Sequence, residues 1–345
     1  MKHYCAFPAL TLLAALGITN TSVQAQDVAR FYKDHPVTMV IGANPGGGYD
    51  TYARLIARHI GKHIPGKPNV ISSNMPGASS NTAAAALQNK LTKDGTQIGA
   101  IYASALLAPL LGQGKRIKHD PAKFQILGSA SREIYTCVFR SDAKAKSYAE
   151  AIESEIILGA TTSGGSNLDY PMIANRFLGT KFKVVKGYRG SRAVTLAIEQ
   201  GEVQGACGLA WSTMSVQYPN IFSDGKFRVV AQEDLDGIAA LNARNIPVTG
   251  TMKMNAESRQ ALELFYSQGV LGRPYVVAGE VPKDRANALR KAFMSALGDP
   301  ALLAEARKMR IEINVTSGDQ IEKLMAKLYA TPKNVVAEVI KALGR

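Results

Sequence analysis

Residues 37–63 read VTMVIGANPGGGYDTYARLIARHIGKH, an apolar run of strand character that breaks into three consecutive glycines and then becomes an amphipathic helix. Gly46, Gly47 and Gly48 can adopt positive φ and bring bare backbone N–H groups close to a ligand. The helix that follows adds its unpaired N-terminal donors and the positive end of its dipole. Such a turn is an anion cradle. A single copy names no ligand, because glycines also serve tight turns for steric reasons alone.

The same order of strand, small polar loop and helix recurs in ILGATTSGGSNLDYPMIANRF (157–177) and in FKVVKGYRGSRAVTLAIEQG (182–201). A further stretch, VISSNMPGASSNTAAAALQN (70–89), sets Pro76, Gly77 and Ser79 ahead of an alanine-rich helix, with Ser80 or Asn81 placed to cap it. In open α/β sheets such loops gather at the carboxyl ends of strands, where ligands bind. The repetition therefore predicts one cleft built from several loops.

Residues 1–25 read as a targeting segment, with Lys2 as the positive n-region, Ala6–Ile18 as the apolar h-region and Val23-Gln24-Ala25 as an A-x-A-like cleavage site. Cys5 precedes the h-region and is not placed as a lipoprotein cysteine. An exported, periplasmic protein is expected, cleaved after Ala25. The remaining chain is long enough for two domains with full cores. With 46% hydrophobic residues the composition is globular, and the formal charge of +14 favours anionic partners. The basic residues are interspersed with acids, as in Lys283-Asp284-Arg285 and Glu305-Ala306-Arg307-Lys308. No basic block or basic-aromatic alternation marks a nucleic-acid surface, and nucleic acid is not an expected partner.

Strands are predicted at 37–43, 69–73, 97–102, 124–128, 134–140, 156–160, 182–186, 203–209 and 227–231. Helices alternate with them at 51–63, 80–90, 147–154, 167–178, 191–200, 255–268, 283–297, 300–309, 318–329 and 332–342. Pro282, Gly298-Asp299-Pro300 and Ser317 punctuate the later helices. The alternation predicts α/β architecture with parallel sheets. The apolar run from Phe124 to Ser141 is long enough to pass from one domain into the next.

The segments NPGGGYDTYAR (44–54), NMPGASS (74–80), TSGGSN (162–167) and GYRGSRA (187–193) resemble, in order and spacing, the Bug-type extracytoplasmic solute receptors of tripartite tricarboxylate transporters. The resemblance runs from about Val37 into the C-terminal helices. It implies a type II periplasmic binding protein fold, two α/β domains joined by crossover strands with one ligand cleft between them. Residues 26–131 plus 266–345 would form the first domain and 132–265 the second. The crossovers would lie near Phe124–Phe139 and Phe265–Tyr275. By matching motifs, the ligand-binding residues implied are Pro45, Gly46, Gly47, Tyr49 and Thr51 on the first loop and Ser163, Ser166 and Asn167 on the second-domain loop. Tyr188, Gly190 and Ser191 would form the facing wall. The pattern departs from the family at Tyr49, at Asn167-Leu168-Asp169 and at Gln204, which leaves an atypical ligand open. Tyr49 either narrows the cleft, stacks on an aromatic acid, or packs at the helix start.

Signals for catalysis are missing. There is no G-x-S-x-G elbow, and Ser163 lacks the flanking sequence of one. His59 and His63 share a helical face without the glutamate of H-E-x-x-H, and the triple glycine has neither a Walker lysine nor a G-x-G-x-x-G pattern. No enzyme activity, metal or cofactor is expected. Arg189 and Arg192 bracket the GYRGS loop and either neutralise a ligand carboxylate or point to solvent. Trp211 either faces the cleft or packs in the core. Cys137 and Cys207, the cysteines left after cleavage, either form a disulfide or stay as buried thiols.

The expectation is a monomeric receptor that captures a small organic acid and passes it to the membrane permease subunits of a tripartite transporter. A ligand-sensing partner of a membrane sensor kinase, or an exported hydrolase, are the other classes open to the sequence. Intact-mass measurement of the protein recovered from the periplasm should give a chain starting at Gln26. Retention of Met1 in a membrane fraction would overturn the export reading.

Overall fold

The computed structural model describes residues 19–113, 117–162 and 164–345, and the expected targeting segment lies largely outside them. Among the described residues eleven strands form two sheets. The first sheet has the order β11-β4-β10-β3-β1-β2, built from β1 (Val37–Ile41), β2 (Val70–Asn74), β3 (Gln97–Ala100), β4 (Phe124–Ser129), β10 (Pro274–Ala278) and β11 (Thr316–Ser317). The second has the order β7-β6-β8-β5-β9, built from β5 (Tyr135–Arg140), β6 (Glu155–Ala160), β7 (Lys181–Lys186), β8 (Gly205–Ala210) and β9 (Phe227–Glu233). β1 runs parallel to β2 and β3, and β6 runs parallel to β7 and β8. The strands that enter and leave are antiparallel: β10 beside β3 and β4, and β5 beside β8 and β9.

Helices cover the sheets: α1 (Thr19–Asp34), α2 (Gly48–Ile60), α3 (Asn81–Asn89), α4 (Ala103–Leu107), α5 (Glu150–Glu153), α6 (Ser166–Phe177), α7 (Ser191–Gln200), α8 (Trp211–Gln217), α9 (Ala239–Asn242), α10 (Ala256–Leu271), α11 (Lys283–Leu297), α12 (Pro300–Lys308), α13 (Gly318–Tyr329) and α14 (Lys333–Ala342). The period-two alternation of strand side chains decides which helices each strand meets. Val37, Met39 and Ile41 join a core with Leu55 and Ile56 of α2 and Leu289 and Phe293 of α11. Val40 points the other way, among Ala84 and Leu87 of α3. In the second sheet Cys137 and Phe139 enter one core and Val138 the opposite one.

Each predicted strand forms, and the apolar run 124–141 does pass from one sheet to the other as β4 and then β5. The second expected crossover is different. Phe265–Leu271 is helix, the end of α10, and β10 begins only at Pro274. The cause is local: Asn255 caps α10 by accepting from the Ser258 amide at 2.7 Å, and Ala261, Leu262, Leu264, Phe265 and Leu271 are buried at helical spacing. Gly272 ends the helix at φ 57.

Other details also depart from expectation. Ser80 precedes α3 but its hydroxyl does not cap it; it donates to Gly42 O at 2.7 Å and accepts from the Tyr102 amide at 3.0 Å, tying the loops after β1 and β3 together. Trp211 opens α8 with its ring 5.8 Å from Phe222, packed against the second-sheet core. His59 and His63 face α12, where Glu305 and Asp299 accept at 2.6 and 2.7 Å. Among the described residues no group of three or more His, Cys, Asp or Glu is placed to hold a metal, and no helix is long and apolar enough to cross a membrane.

Cys137 of β5 and Cys207 of β8 are fully buried and paired as a disulfide. Their sequence separation of 70 closes a long loop, for which the chain-entropy account gives stabilisation of about 4 kcal/mol. Mass spectrometry without reductant should show the loss of two hydrogens. Alkylation of both cysteines in unfolded, unreduced protein would contradict the pairing.

Candidate functional site

The carboxyl ends of β1 and β3 in the first sheet and of β6, β7 and β8 in the second open onto one cavity of about 390 Å³. From the first sheet it is lined by Pro45, Gly46, Gly47, Gly48 and Tyr49 of the β1–α2 turn and by Tyr102 and Ser104 after β3. From the second it is lined by Ser166 and Asn167 at the start of α6, by Gly190 and Ser191 at the start of α7, and by Thr213 of α8. Three helix N-termini, those of α2, α6 and α7, thus converge on a small space, each offering unpaired amides and a positive dipole end.

Of the eleven ligand-binding residues that the resemblance implies, eight meet here: Pro45, Gly46, Gly47, Tyr49, Ser166, Asn167, Gly190 and Ser191. Thr51 does not, because its hydroxyl is turned back into its own helix and donates to Gly47 O at 3.0 Å. Tyr188 also stays out; its ring packs on the second-sheet core and its hydroxyl donates to Glu202 at 3.1 Å. Ser163 lies outside the described residues. The 74–80 loop does not line the cavity; its serine fastens the neighbouring loops instead.

The three glycines of the first loop have three different jobs. Only Gly46 has positive φ, at 79, with open space where a Cβ would stand. Gly47 is extended, at φ −83 and ψ 168, and a Cβ there would meet only Asn44 O at 3.6 Å. Gly48 is the one in close contact: a Cβ would overlap Thr213 Oγ1 from the second-sheet side and stand 3.0 and 3.2 Å from Arg273 Nη2 and Nη1. The cradle also differs from expectation in its donors. The Gly46 amide is taken by Asp50 Oδ2 at 2.9 Å, which leaves the amides of Gly47 and Gly48, in the unpaired first turn of α2, as the ones the loop presents.

Asp50 itself is buried and held by Arg54 Nε at 2.9 Å and Asn74 Nδ2 at 2.8 Å. Burial pushes its carboxyl up, but the Gly46 amide, Asn74 and Arg54 together hold it below the ordinary carboxylate range, so it is ionised at neutral pH. The second-sheet loop is built alike: Asp169 accepts from the Gly164 amide at 3.3 Å and is gripped by Arg345 at 2.5 and 2.6 Å.

Sequence reasoning missed Tyr102, Ser104, Tyr135, Thr213, Gln268 and Arg273, all of which line the cavity. Arg273 is the largest omission, a guanidinium whose side chain is 1% exposed. The visible signal was a lone arginine in the apolar crossing Val270-Leu271-Gly272-Arg273-Pro274-Tyr275. Burial pulls its pKa down, but Glu133 beneath it more than offsets this and keeps it charged. Tyr49 belongs to the same group: its hydroxyl donates to Gly272 O at 2.8 Å, its ring lies 4.3 Å from that of Tyr102, and Arg273 sits 4.6 Å from its centroid. Arg189 and Arg192 line the cavity from its exposed side, and among the described residues neither has an ion-pair partner.

Replacing the three glycines one at a time should separate their roles. Gly46→Ala should lower stability by about 1–2 kcal/mol through its left-handed backbone. Gly47→Ala should be close to neutral. Gly48→Ala should weaken ligand binding at least about tenfold, because its methyl group wedges the two sheets apart at Thr213. Thermal melts and calorimetry on the three variants would distinguish them, and equal losses at all three would contradict the geometry.

No protein-family model and no curated protein sequence matches the chain. Solved structures do resemble it. The periplasmic binding protein BugD superposes with a TM-score of 0.65 at 19% identity, covering 89% of this chain and 96% of that one. A TctC solute binding protein from Polaromonas gives 0.60 at 18% identity, over 89% and 99% of the two chains. MatC from Rhodopseudomonas palustris with bound malate gives 0.66 at 17% identity, over 88% and 99%. The chain therefore shares, over nearly its whole described length, the fold of the TctC and Bug periplasmic solute-binding proteins.

Proposed function

We propose that this chain is a periplasmic receptor that captures a small carboxylate and delivers it to the permease subunits of a tripartite tricarboxylate-type membrane transporter. The observation that carries the reading is the lining of the cavity. Three arginines and three helix N-termini face it, and among the described residues no Asp or Glu side chain does. Such a space stabilises an anion and penalises a cation. A carboxylate fits better than a larger anion because the donors are scattered amides and hydroxyls on two sides of a small cavity, and MatC, which shares the fold, holds malate.

On this reading residues 26–131 and 266–345 form one lobe and 132–265 the other, the receptor is a monomer exported by cleavage after Ala25, and the ligand bridges the lobes. The amides of Gly47 and Gly48 and the hydroxyls of Ser166 and Ser191 carry recognition, with Asn167 Nδ2 beside them. Asn167 Oδ1 already accepts from Thr161 at 2.8 Å, which fixes the orientation of its amide.

Because the ligand touches both lobes, only the folded, closed form binds it, and a ligand at 100 times its Kd should add about 2.7 kcal/mol of stability. A thermal-shift screen of aliphatic and aromatic acids, followed by calorimetry, should find one-to-one binding. Ser191→Ala should then lose a hydrogen bond to a charged group, about 1.5–3 kcal/mol or roughly ten- to a hundredfold in affinity. Wild-type affinity in that variant would place the ligand elsewhere.

A further inference from the structure

Behind the second-sheet wall of the cavity lies a carboxyl group that, among the described residues, no cation holds. Glu233, the last residue of β9, is 2% exposed, and its Oε2 accepts from the Gly208 amide at 2.5 Å. Gly208 of β8 lines the cavity at φ 67 and passes so close to the start of α6 that a Cβ would overlap Ser166 O and stand 2.9 Å from the Asn167 amide nitrogen. Ser166 and Asn167 line the cavity too. Glu233 therefore supports, through one hydrogen bond, the contact that seats a helix N-terminus in the wall.

The groups around Glu233 offer nothing to balance a negative charge. Tyr135 stands opposite it on β5, and Tyr170 of α6, Tyr266 of α10 and Tyr148 ahead of α5 lie within range of its charge. The Tyr266 hydroxyl is engaged with Thr249 at 2.8 Å, while those of Tyr148 and Tyr170, like Glu233 Oε1 itself, are buried without a hydrogen-bond partner. The acids next to these residues in the chain, Asp234 and Asp169, are already paired with Arg132 and Arg345. Burial without a counter-charge favours the neutral acid and pushes the Glu233 carboxyl up to about 8, and the Gly208 amide offsets only part of this. The lining tyrosines Tyr49, Tyr102 and Tyr135 are pushed up by burial as well, away from that window. An anion at the α6 N-terminus is repelled by ionised Glu233 and not by the neutral acid. Resting on the carboxylate-receptor reading, we propose that Glu233 is a positioning residue that works in its neutral form, holding Gly208 against the start of α6 and coupling capture of the anion to uptake of a proton, so that the receptor grips its ligand less tightly as pH rises. The proton comes from solvent and sits on Oε1, the oxygen that Gly208 leaves free.

The test is calorimetry on the full exported chain with malate and adipate as probes. If the bound anion makes protonation of Glu233 about tenfold easier, affinity should fall about fivefold between about pH 7 and about pH 9. Titrations in buffers of different ionisation heat should show uptake of about half a proton per ligand near pH 8.5. In Glu233→Gln the amide oxygen can still accept from Gly208 but the group has no charge to gain; this variant should bind at about pH 7 and lose both the slope and the proton uptake. Should it fail to fold, the Gly208 amide resonance of wild type gives the same answer: it should titrate near pH 8, with a midpoint that moves up when the probe is added. A wild-type affinity that does not change with pH, a slope that survives in Glu233→Gln, or a Gly208 amide that does not titrate would overturn the proposal and leave the receptor reading standing. If neither probe nor any acid of the wider screen binds at any pH, the receptor reading falls and this proposal with it.

Discussion

The structure depends on a knot of backbone and charge where the chain crosses between its two sheets. Arg273 and Glu133 lie on the two crossing segments, both side chains are 1% exposed, and they are joined at 2.6 Å. The segments are laced side by side around them. The Glu133 amide donates to Gly269 O at 2.8 Å, the Arg273 amide to Ser129 Oγ at 2.9 Å, and the Ala130 amide to Arg273 O at 3.2 Å. Gly272 passes so close to Ser131 O that no Cβ would fit. A pair this deep adds little net stability over an apolar replacement, but loss of one partner leaves a bare buried charge and costs about 3–5 kcal/mol. Its value is positional: Tyr49 hangs from Gly272 by its hydroxyl, and Ser212, next in the chain to the lining residue Thr213, hangs from Glu133.

Above this floor the two glycine loops are shaped in the same way. In each, a carboxylate in the first turn of the helix folds back to take a loop amide, Asp50 for Gly46 and Asp169 for Gly164, and an arginine holds that carboxylate from behind. The Gly46 and Gly164 amides are therefore held by the protein's own carboxylates. The arginines come from different places. Arg54 is one turn along the same helix, whereas Arg345 reaches across from the segment after α14 to the second-sheet helix α6. Together with Arg176 and Glu338, paired at 2.5 Å, this joins α14 to α6. Two separate links thus limit how the sheets can move, one at the crossing and one at α14.

Most of the fold was legible because its signals are local. The strands alternate or run apolar, the helices carry caps and apolar stripes, and the loops at the strand ends carry glycine, so β1, β6 and β7 with their helices follow from adjacent residues alone. The helix read at 255–268 forms as α10 and runs on to Leu271, whereas the crossover strand that the resemblance implied near Phe265–Tyr275 begins only at Pro274. The site was half legible for a related reason. Residues in the glycine loops announce themselves, but Tyr102, Tyr135, Gln268 and Arg273 sit at ends of elements that look like ordinary core, and only the tertiary crossing brings them to one cavity. Thr51 and Tyr188 show the reverse: correct motif positions whose hydroxyls are spent on Gly47 O and Glu202.

On the receptor reading, the placement of the three arginines divides their work by range. Arg189 and Arg192 are exposed at the edge of the cavity, in water, where their field is screened over about 8 Å at physiological ionic strength. Charges so placed act mainly on encounter, raising the rate at which an anion arrives, and they discriminate little among acids of the same charge. The helix N-termini act at contact and offer aimed amides with only fractional charge. Arg273, the third arginine of the lining, is buried and paired with Glu133, so its charge is largely balanced inside the protein and it acts on the shape of the cavity more than on the field outside it. A chain carrying +14 overall can attract many anions. On the receptor reading, which of them it keeps depends on contacts inside the cavity and not on this long-range field.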